Sequence, residues 1–430
     1  MDLLKIISDF KNSQSYKDML VGERYFKGTN DIIYRSFHYT TTEGEIMDRY
    51  RANNKVSDNF FKIITEQKVN YVVGNEVIIQ NSKPYLDVNE EIDYLCEEAC
   101  MKAVGWLHVY IDEIGELKQV VIPSEQVIPR YTPTLKKELM QVIRFYKIGE
   151  SEIVEVWDNI YVTYYTLIKD QGYVQYEQRT HFSTGSFGKV PFIPLYNNRY
   201  EINDLNSIKV LIDCYDVVMS DFCNNFEDFQ QVLYKLVNYA KTVDDEQMAC
   251  ELFEFIKKYG FVNVADGGDF DIIQREVPYL ARKELLQIIK QNLYLIAQAV
   301  DPDILRGNSL TNVVIEASYT LLELKANKFI KMIKKFLREL LYFDNFYRSL
   351  KKMAVDDMTK VSFDFNKAIL MNKAETVETL VLCVQNKIMS IKTAVTKNPY
   401  IDNADEEMLL LKEEEDKEQE KQLEIFPIPT

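Results

Sequence analysis

The chain has 430 residues, of which 47% are hydrophobic and 27% charged, with only 14 Gly and 11 Pro. This composition excludes collagen-like, low-complexity and disulfide-stapled proteins, and it favours several compact units built from long elements. With 51 Lys and Arg against 67 Asp and Glu, the net charge of −16 has the wrong sign for a protein that grips nucleic acid broadly.

The first hundred residues are typical of helices. Apolar positions from Ser57 to Gly74 recur mostly at helical spacing, with Ser57 placed to cap the start and Gly74 to end the helix. Residues 89–103 form a second candidate, closed by Gly105.

Residues 1–14 lack a basic leader and a clean apolar core, and no apolar run approaches the ~18 residues of a membrane helix, so we expect a soluble protein without a secretory signal.

Residues 106–196 change to short β-rich runs. Gly115 and Gly172 stand where hairpins would bend. This region predicts an antiparallel meander with one face packed against helices, within an α+β and mainly helical fold. The seven runs cover residues 106–112, 118–122, 126–131, 141–147, 153–157, 161–168 and 173–177.

A long helix is predicted at residues 204–232, which contain no Gly or Pro and would span about 44 Å. Its apolar residues step by three or four positions, and a single Lys209 accompanies six acids. The acids are Asp204, Asp213, Asp216, Asp221, Glu227 and Asp228.

Residues 233–279 predict a small module, with a helical stretch at 246–259 and two strands at 260–265 and 270–277. A hairpin turn is predicted to join the strands through Asp266, Gly267, Gly268 and Asp269. Helical character then returns over residues 280–300.

Residues 301–312 interrupt the helical pattern with Pro302 and Gly307, and a helix of about 52 Å is predicted over 313–347. This helix carries a basic face of Lys328, Lys331, Lys335 and Arg338. The face is either a solvated flank of the apolar stripe or a docking face for an acidic neighbour or a nucleic acid backbone. A strand at 360–365, helices at 374–385 and 390–397, and an acidic tail follow.

Catalytic and metal-binding patterns are weak. The three histidines, His38, His108 and His181, lie in different segments and are expected in the core or on the surface. Cys96 and Cys100 stand four residues apart, but no second ligand pair accompanies them, so we expect buried, reduced thiols. Asp266, Asp269 and Asp271 miss the order of a calcium loop, and the glycines around 185–188 lack the ending of a phosphate loop. We expect no enzyme and no cofactor.

Seven stretches in this order resemble the portal proteins of tailed bacteriophages, specifically the branch found in siphophages of Gram-positive hosts. The layout of helix, insert, helix, loop and long helix fits the same family. The stretches are residues 53–62, 67–74, 190–198, 204–231, 297–301, 322–327 and 394–399.

The resemblance implies a virion protein, assembled in the bacterial cytoplasm, that forms a dodecameric ring at one capsid vertex. Double-stranded DNA would be packaged and ejected through the ring. No membrane is among the implied partners. The implied partners are the large terminase subunit, head-completion or adaptor proteins, and the major capsid and scaffold proteins. The implied domains are a wing (1–203), two stem helices (204–232 and 280–300), a clip (233–279), a tunnel loop (301–312), a long wing helix with a wing strand (313–365), a crown (366–411) and an acidic C-terminal tail (412–430).

The resemblance also assigns roles to residues. The tunnel loop would hold Asp301, Asp303, Arg306, Gly307, Asn308 and Ser309, with Arg306 and Asn308 touching phosphates transiently. The stem would present an acidic face of Asp213, Asp216, Asp221, Glu227 and Asp228, which lets DNA pass without holding it. The clip would dock partners at Asp266, Gly267, Gly268 and Asp269.

Two other classes of protein stay open at this point. A cytosolic helical scaffold or adaptor without a DNA role would differ from a portal in particle size. An acidic nuclease would gather metal ions at carboxylates such as Asp266 and Asp269.

Overall fold

A computed structural model describes residues 2–41, 44–47, 52–168, 171–183, 185–228, 233–237, 269–273, 279–304, 311–367, 373–401 and 403–425. The chain divides into two compact units. The first comprises Met1–Glu23, Ile63–Asn206 and Tyr294–Thr430, and the second comprises Arg24–Lys62 and Ser207–Leu293. Among the described residues, no helix has the length and apolar character to cross a membrane.

The first unit holds the predicted β region, but as two antiparallel sheets rather than one meander. All seven predicted strands form, and an eighth joins the first two. The strands are β4 (Val104–Ile111), β5 (Leu117–Ile122), β6 (Val127–Tyr131), β7 (Leu139–Ile148), β8 (Ser151–Trp157), β9 (Tyr161–Ile168), β10 (Gly172–Thr180) and β11 (Phe192–Tyr196). One sheet has the order β11-β4-β5 and the other β10-β9-β8-β7-β6.

Alternation along these strands builds three layers of core. On β4, Trp106 faces the five-stranded sheet, while Leu107 and Val109 join a cluster with the long helix. On β7, Val142 joins the layer between the sheets, whereas Ile143 packs under helix α1 (Leu3–Asn12). Both faces of the five-stranded sheet are therefore covered, which the prediction of a single helix-packed face did not anticipate.

Helix α7 (Asn312–Leu350) forms the largest element of the first unit. The Thr311 side chain accepts the Val314 N–H and so caps its start. Its apolar stripe is buried as the sequence predicts, at Phe329, Ile333, Phe336 and Leu340. Strand β14 (Ser362–Phe365), also predicted, pairs with β3 (Val77–Gln80), which was not.

The remaining helices of this unit lie near both ends of the chain. Helix α2 (Gln14–Phe26) and helix α3 (Phe60–Val73) each continue from one unit into the other, and α4 is Ile92–Lys102. After β14, the chain forms α8 (Lys373–Gln385), α9 (Ile391–Thr396) and α10 (Ala404–Ile425). The acidic tail is thus helical as far as residue 425.

The second unit contains α5 (Lys209–Asp228), which a 3-10 turn at Leu205–Ser207 precedes. The predicted helix therefore begins later than residue 204. Two hairpins belong to this unit, β1 (His38–Thr41) with β2 (Gly44–Met47), and β12 (Leu233–Val237) with β13 (Asp269–Ile273). Helix α6 (Tyr279–Ala297) leads back to the first unit.

Two predicted helix boundaries are wrong for physical reasons. Ser57 does not cap α3, because the helix begins three residues later at Phe60 and the Ser57 hydroxyl oxygen accepts the Asn30 N–H at 3.4 Å instead. Ala103, not Gly105, adopts the left-handed conformation after α4, with φ of 71°. Gly105 instead lies so close to α4 that an added Cβ would come within 2.6 Å of the Leu95 carbonyl oxygen.

Candidate functional site

The acidic residues of α5 are bound within the second unit. The Tyr25 hydroxyl donates to Asp213, which also pairs with Lys209 at 2.7 Å. Arg35 pairs with Asp221 at 2.5 Å. The Asn54 amide donates to Glu227 at 2.6 Å. Asp228 ends the helix, and its side chain lies outside the described residues.

Asp216 is fully buried and cannot belong to a solvent-facing acidic surface, contrary to the sequence prediction. Its carboxylate accepts the Asn30 side-chain amide at 2.6 Å and the Asp58 N–H at 3.1 Å. Burial, reinforced by the nearby Asp58 carboxylate, raises the pKa of Asp216 to about 6 against these hydrogen bonds.

Asp216 is one rung of a ladder between α5 and the extended segment 54–58. Ser220 accepts the Val56 N–H at 3.0 Å, and Asn224 accepts the Asn54 N–H at 2.6 Å. Residues four positions apart on α5 thus form hydrogen bonds with residues two positions apart in segment 54–58. The spacings match, because four helical residues rise ~6.0 Å and two extended residues rise ~6.6 Å. We call these three pairs the α5 ladder.

The α5 ladder was missed from the sequence. The signal that could have found it is the spacing of Asp216, Ser220 and Asn224, three polar residues in one row on a helix whose other face is apolar. A polar row at four-residue spacing ordinarily faces water, so the pattern alone does not mark it as buried.

The segment that precedes the predicted tunnel loop is clamped within the first unit. The Gln67 side chain donates to the Val300 carbonyl at 2.8 Å and accepts the Val300 N–H at 3.1 Å. Lys325 of α7 donates to the Ala297 carbonyl at 3.0 Å. The chain therefore enters the loop from a fixed point.

The same clamp contains a buried ion cluster. Asp204 pairs with Lys68 at 3.0 Å and with Lys325 at 3.1 Å, and Asn197 donates to it at 2.9 Å. Burial alone would raise the pKa of Asp204, but the two ammonium groups lower it well below its usual range. Five of the stretches that carry the family resemblance thus meet here, through Gln67 and Lys68, Asn197, Asp204, Val300 and Lys325.

Of the predicted tunnel-loop residues, Asp301 and Asp303 lie in the described part of the chain. Asp301 is buried, and its carboxylate accepts the Asp303 N–H at 3.0 Å. Arg306, Gly307, Asn308 and Ser309 lie outside the described residues. Beyond the loop, the Asn312 N–H donates to Glu375 of α8 at 2.6 Å, which ties the start of α7 to the C-terminal helices.

The clip prediction is partly outside the described residues, which omit the helical stretch 246–259, the strand 260–265, Asp266, Gly267 and Gly268. Strand β13 overlaps the predicted strand 270–277, but it pairs with β12. Asp269 stands opposite Val237 in this ladder, so it is a strand residue and not a turn residue.

The four basic residues of α7 form an exposed row. Lys328, Lys331, Lys335 and Arg338 are all exposed, and none makes an ion pair with another described residue. Glu339, beside the row, pairs instead with Lys189 at 3.3 Å. The row is therefore unpaired within the part of the chain that the structure describes.

The histidines and paired cysteines are core residues where the structure describes them. His108 and His181 are buried around Trp157, and burial lowers the pKa of His108 to about 3. Cys96 and Cys100 are fully buried, and burial raises the pKa of Cys100 to about 11. The side chain of His38 lies outside the described residues. Among described residues, no group of three His, Cys, Asp or Glu could hold a metal ion.

Comparison with known protein families shows which family the chain belongs to. The family model described as phage portal protein, SPP1 Gp6-like, matches residues 8–421. The chain belongs to this family. The match extends over both units and every stretch on which the resemblance rests, so the role of this protein is that of a phage portal protein.

Curated portal proteins and one solved structure add detail. The portal protein of Bacillus phage SPP1 is 30% identical over 424 residues, covering 92% of this chain and 83% of that protein. The portal protein of Clostridium phage phiCD119 is 27% identical over 439 residues, covering 93% and 92%. The neck of a native GTA particle, computed with C12 symmetry, aligns with a TM-score of 0.45 at 11% identity, covering 79% of this chain and 88% of that one.

Proposed function

We propose that this portal protein assembles head-to-tail into a closed ring, a dodecamer in the virion, at one capsid vertex. Double-stranded DNA is packaged and later ejected through the channel of this ring. Heterologous contacts between identical subunits close into rings when the rotation allows it, so one type of interface suffices. The role is structural, with no cofactor, and the ring assembles in the host cytoplasm.

The exposed apolar residues of α6 carry this proposal. Leu280 is 76% exposed and Leu295 is 59% exposed on a helix of 19 residues. Large apolar residues in such density on one element mark a surface that another protein covers. In a ring, the neighbouring copy supplies that cover. The other exposed members are Leu285, Ile288 and Ile296.

The parts of the chain take their roles in this ring from the family. Residues 204–232 and 280–300 form the stem, and 233–279 form the clip, which docks the large terminase subunit and then the head-completion or adaptor proteins. Residues 1–203 and 313–365 form the wing, next to the major capsid and scaffold proteins. Residues 366–411 form the crown, and 412–430 its acidic tail.

The tunnel loop, residues 301–312, extends from the clamp formed by Gln67 and Lys325. Arg306 and Asn308 would touch phosphates transiently as DNA passes. The stem acids that reach the surface, which exclude the buried Asp216, would repel phosphates within about one Debye length, ~8 Å at physiological salt, and so centre the duplex.

Particle mass tests the ring. We expect mass photometry and negative stain of the purified chain to show rings of many copies of the 50.5-kDa subunit. Changing both Ile288 and Leu295 to Glu places two charges on the exposed face of α6, and we expect this variant to remain as single folded chains.

The control for the α6 variant is Ile114→Glu, at an apolar residue of the β4–β5 turn that is more exposed than Ile288 or Leu295. This variant should form rings like the unaltered protein. A wild-type chain that stays a single copy at high concentration would contradict the proposed assembly, and so would an α6 variant that forms normal rings.

A further inference from the structure

One row of residues on α7 changes from apolar to basic along the helix. Leu324, Lys328, Lys331 and Lys335 follow one another at steps of four, three and four positions. This spacing places them on one stripe of a helix. Leu324 is 53% exposed, and the three lysines are exposed too. We call these four residues the α7 stripe.

Helix α10 carries a row of the same spacing and opposite charge. Leu409, Glu413, Asp416 and Glu420 also follow at steps of four, three and four. Leu409 is 66% exposed, and Glu413 is exposed. The helix contains ten acids and three lysines, so its net charge is strongly negative. We call these four residues the α10 stripe.

We propose that α10 of one copy lies parallel to α7 of the neighbouring copy, with the α10 stripe against the α7 stripe. In parallel alignment, Leu409 meets Leu324, and each acid meets one lysine. Two stripes with 4-3-4 spacing are the pattern with which helices pack at a small crossing angle. This interface rests on the proposed ring, because it needs a neighbouring copy at a fixed position.

The occupant is a second copy because the described side chains of both stripes, which include Leu409 and Glu413 of α10, are uncovered within a single chain. In the described part of the chain, α10 packs against α9, and no ion pair joins its described acids to the lysines of α7. A ring contact joins two different surfaces of the subunit, and these stripes are two such complementary surfaces. Nucleic acid would satisfy the lysines but would leave the acidic α10 unmatched.

Cysteine crosslinking tests the contact in the assembled ring. A variant with Leu324→Cys and Leu409→Cys brings two thiols within disulfide distance only if the stripes meet as proposed. After mild oxidation, we expect a ladder of dimers, trimers and larger species on a denaturing gel. Each single-cysteine variant, the unaltered chain with its six native cysteines, and the pair Ile114→Cys with Leu409→Cys are the controls, and none should give this ladder.

Charge exchange tests the pairing independently. Lys328→Glu with Lys331→Glu should lower the salt concentration at which the ring dissociates by at least twofold. Adding Glu413→Lys and Asp416→Lys to the same chain should restore it. If the lysines contacted a different surface of the ring, substitutions at Glu413 and Asp416 would not restore its salt resistance.

The outcomes separate this inference from the proposed ring. A chain that never forms rings contradicts the ring itself. Rings that give no ladder, a crosslink confined to one chain, or a charge reversal that weakens only DNA binding would each overturn the stripe pairing while leaving the ring intact.

Discussion

At the scale of single residues, the buried carboxyl of Asp216 sets a pH dependence on the second unit. Its pKa of about 6 lies above the ordinary value of 3.8. Between pH 3.8 and pH 6, the folded state therefore keeps a proton on Asp216 that the unfolded chain has released. The free energy of unfolding from this group is therefore largest below pH 4 and falls as the pH rises through 6.

Asp216→Asn should remove this pH dependence. The Asn30 side-chain oxygen makes no hydrogen bond among the described residues, so that amide can turn and accept from the new amide. Turning gives up the bond that the Asn30 amide donates to the Asp58 carbonyl at 3.0 Å, a cost that does not change with pH. We expect the variant to gain about 2 kcal/mol relative to the unaltered chain between pH 4.5 and pH 7, since a tenfold change in proton binding is worth about 1.4 kcal/mol. Chemical denaturation at both pH values measures it.

The control for Asp216→Asn is Ser220→Ala, on the next rung of the α5 ladder. This change removes a hydrogen bond without removing an ionisable group, so it should lower the free energy of unfolding by the same amount at both pH values. A stability difference for Asp216→Asn that does not change with pH would contradict the assignment of the slope to this carboxyl.

At the scale of elements, the α5 ladder attaches segment 54–58 to its helix through backbone N–H groups. Val56→Pro removes the donor to Ser220 and should cost about 1–3 kcal/mol. We expect faster amide exchange across peptides that span residues 52–59. Val56→Ala keeps the N–H group and is the matched control, with exchange close to that of the unaltered chain. Equal protection in the two variants would show that the ladder does not hold the segment.

Elements with a strong local signal could be predicted from the sequence. The buried stripe of α7 and the seven strands were found because their periodicity lies within one segment. Pairing between distant segments could not be found in the same way. Strand β3 pairs with β14 almost three hundred residues later, and Asp269 pairs with Val237 across a long insertion. The α5 ladder and the clamp at Gln67 were missed for the same reason, since each depends on a partner that no local pattern identifies.

At the scale of the whole molecule, net negative charge would let DNA pass through the ring without being bound. Each copy contributes a net charge of −16, and each cation that pairs with a phosphate adds salt-dependent affinity. The row of Lys328, Lys331, Lys335 and Arg338 is exposed, and none of its cations makes an ion pair among the described residues. If the neighbouring α10 covers this row, the ring has little exposed cationic surface there.

The assembled ring should therefore bind duplex DNA weakly. At physiological salt we expect a Kd no tighter than ~10⁻⁶ M, in the range of non-specific binding, because the negative surface repels phosphates. Changing Lys328, Lys331, Lys335 and Arg338 to Gln should alter this Kd less than twofold, which fluorescence anisotropy with a short labelled duplex can measure. Nanomolar binding that the four changes abolish would place DNA, and not the neighbouring α10, on that row.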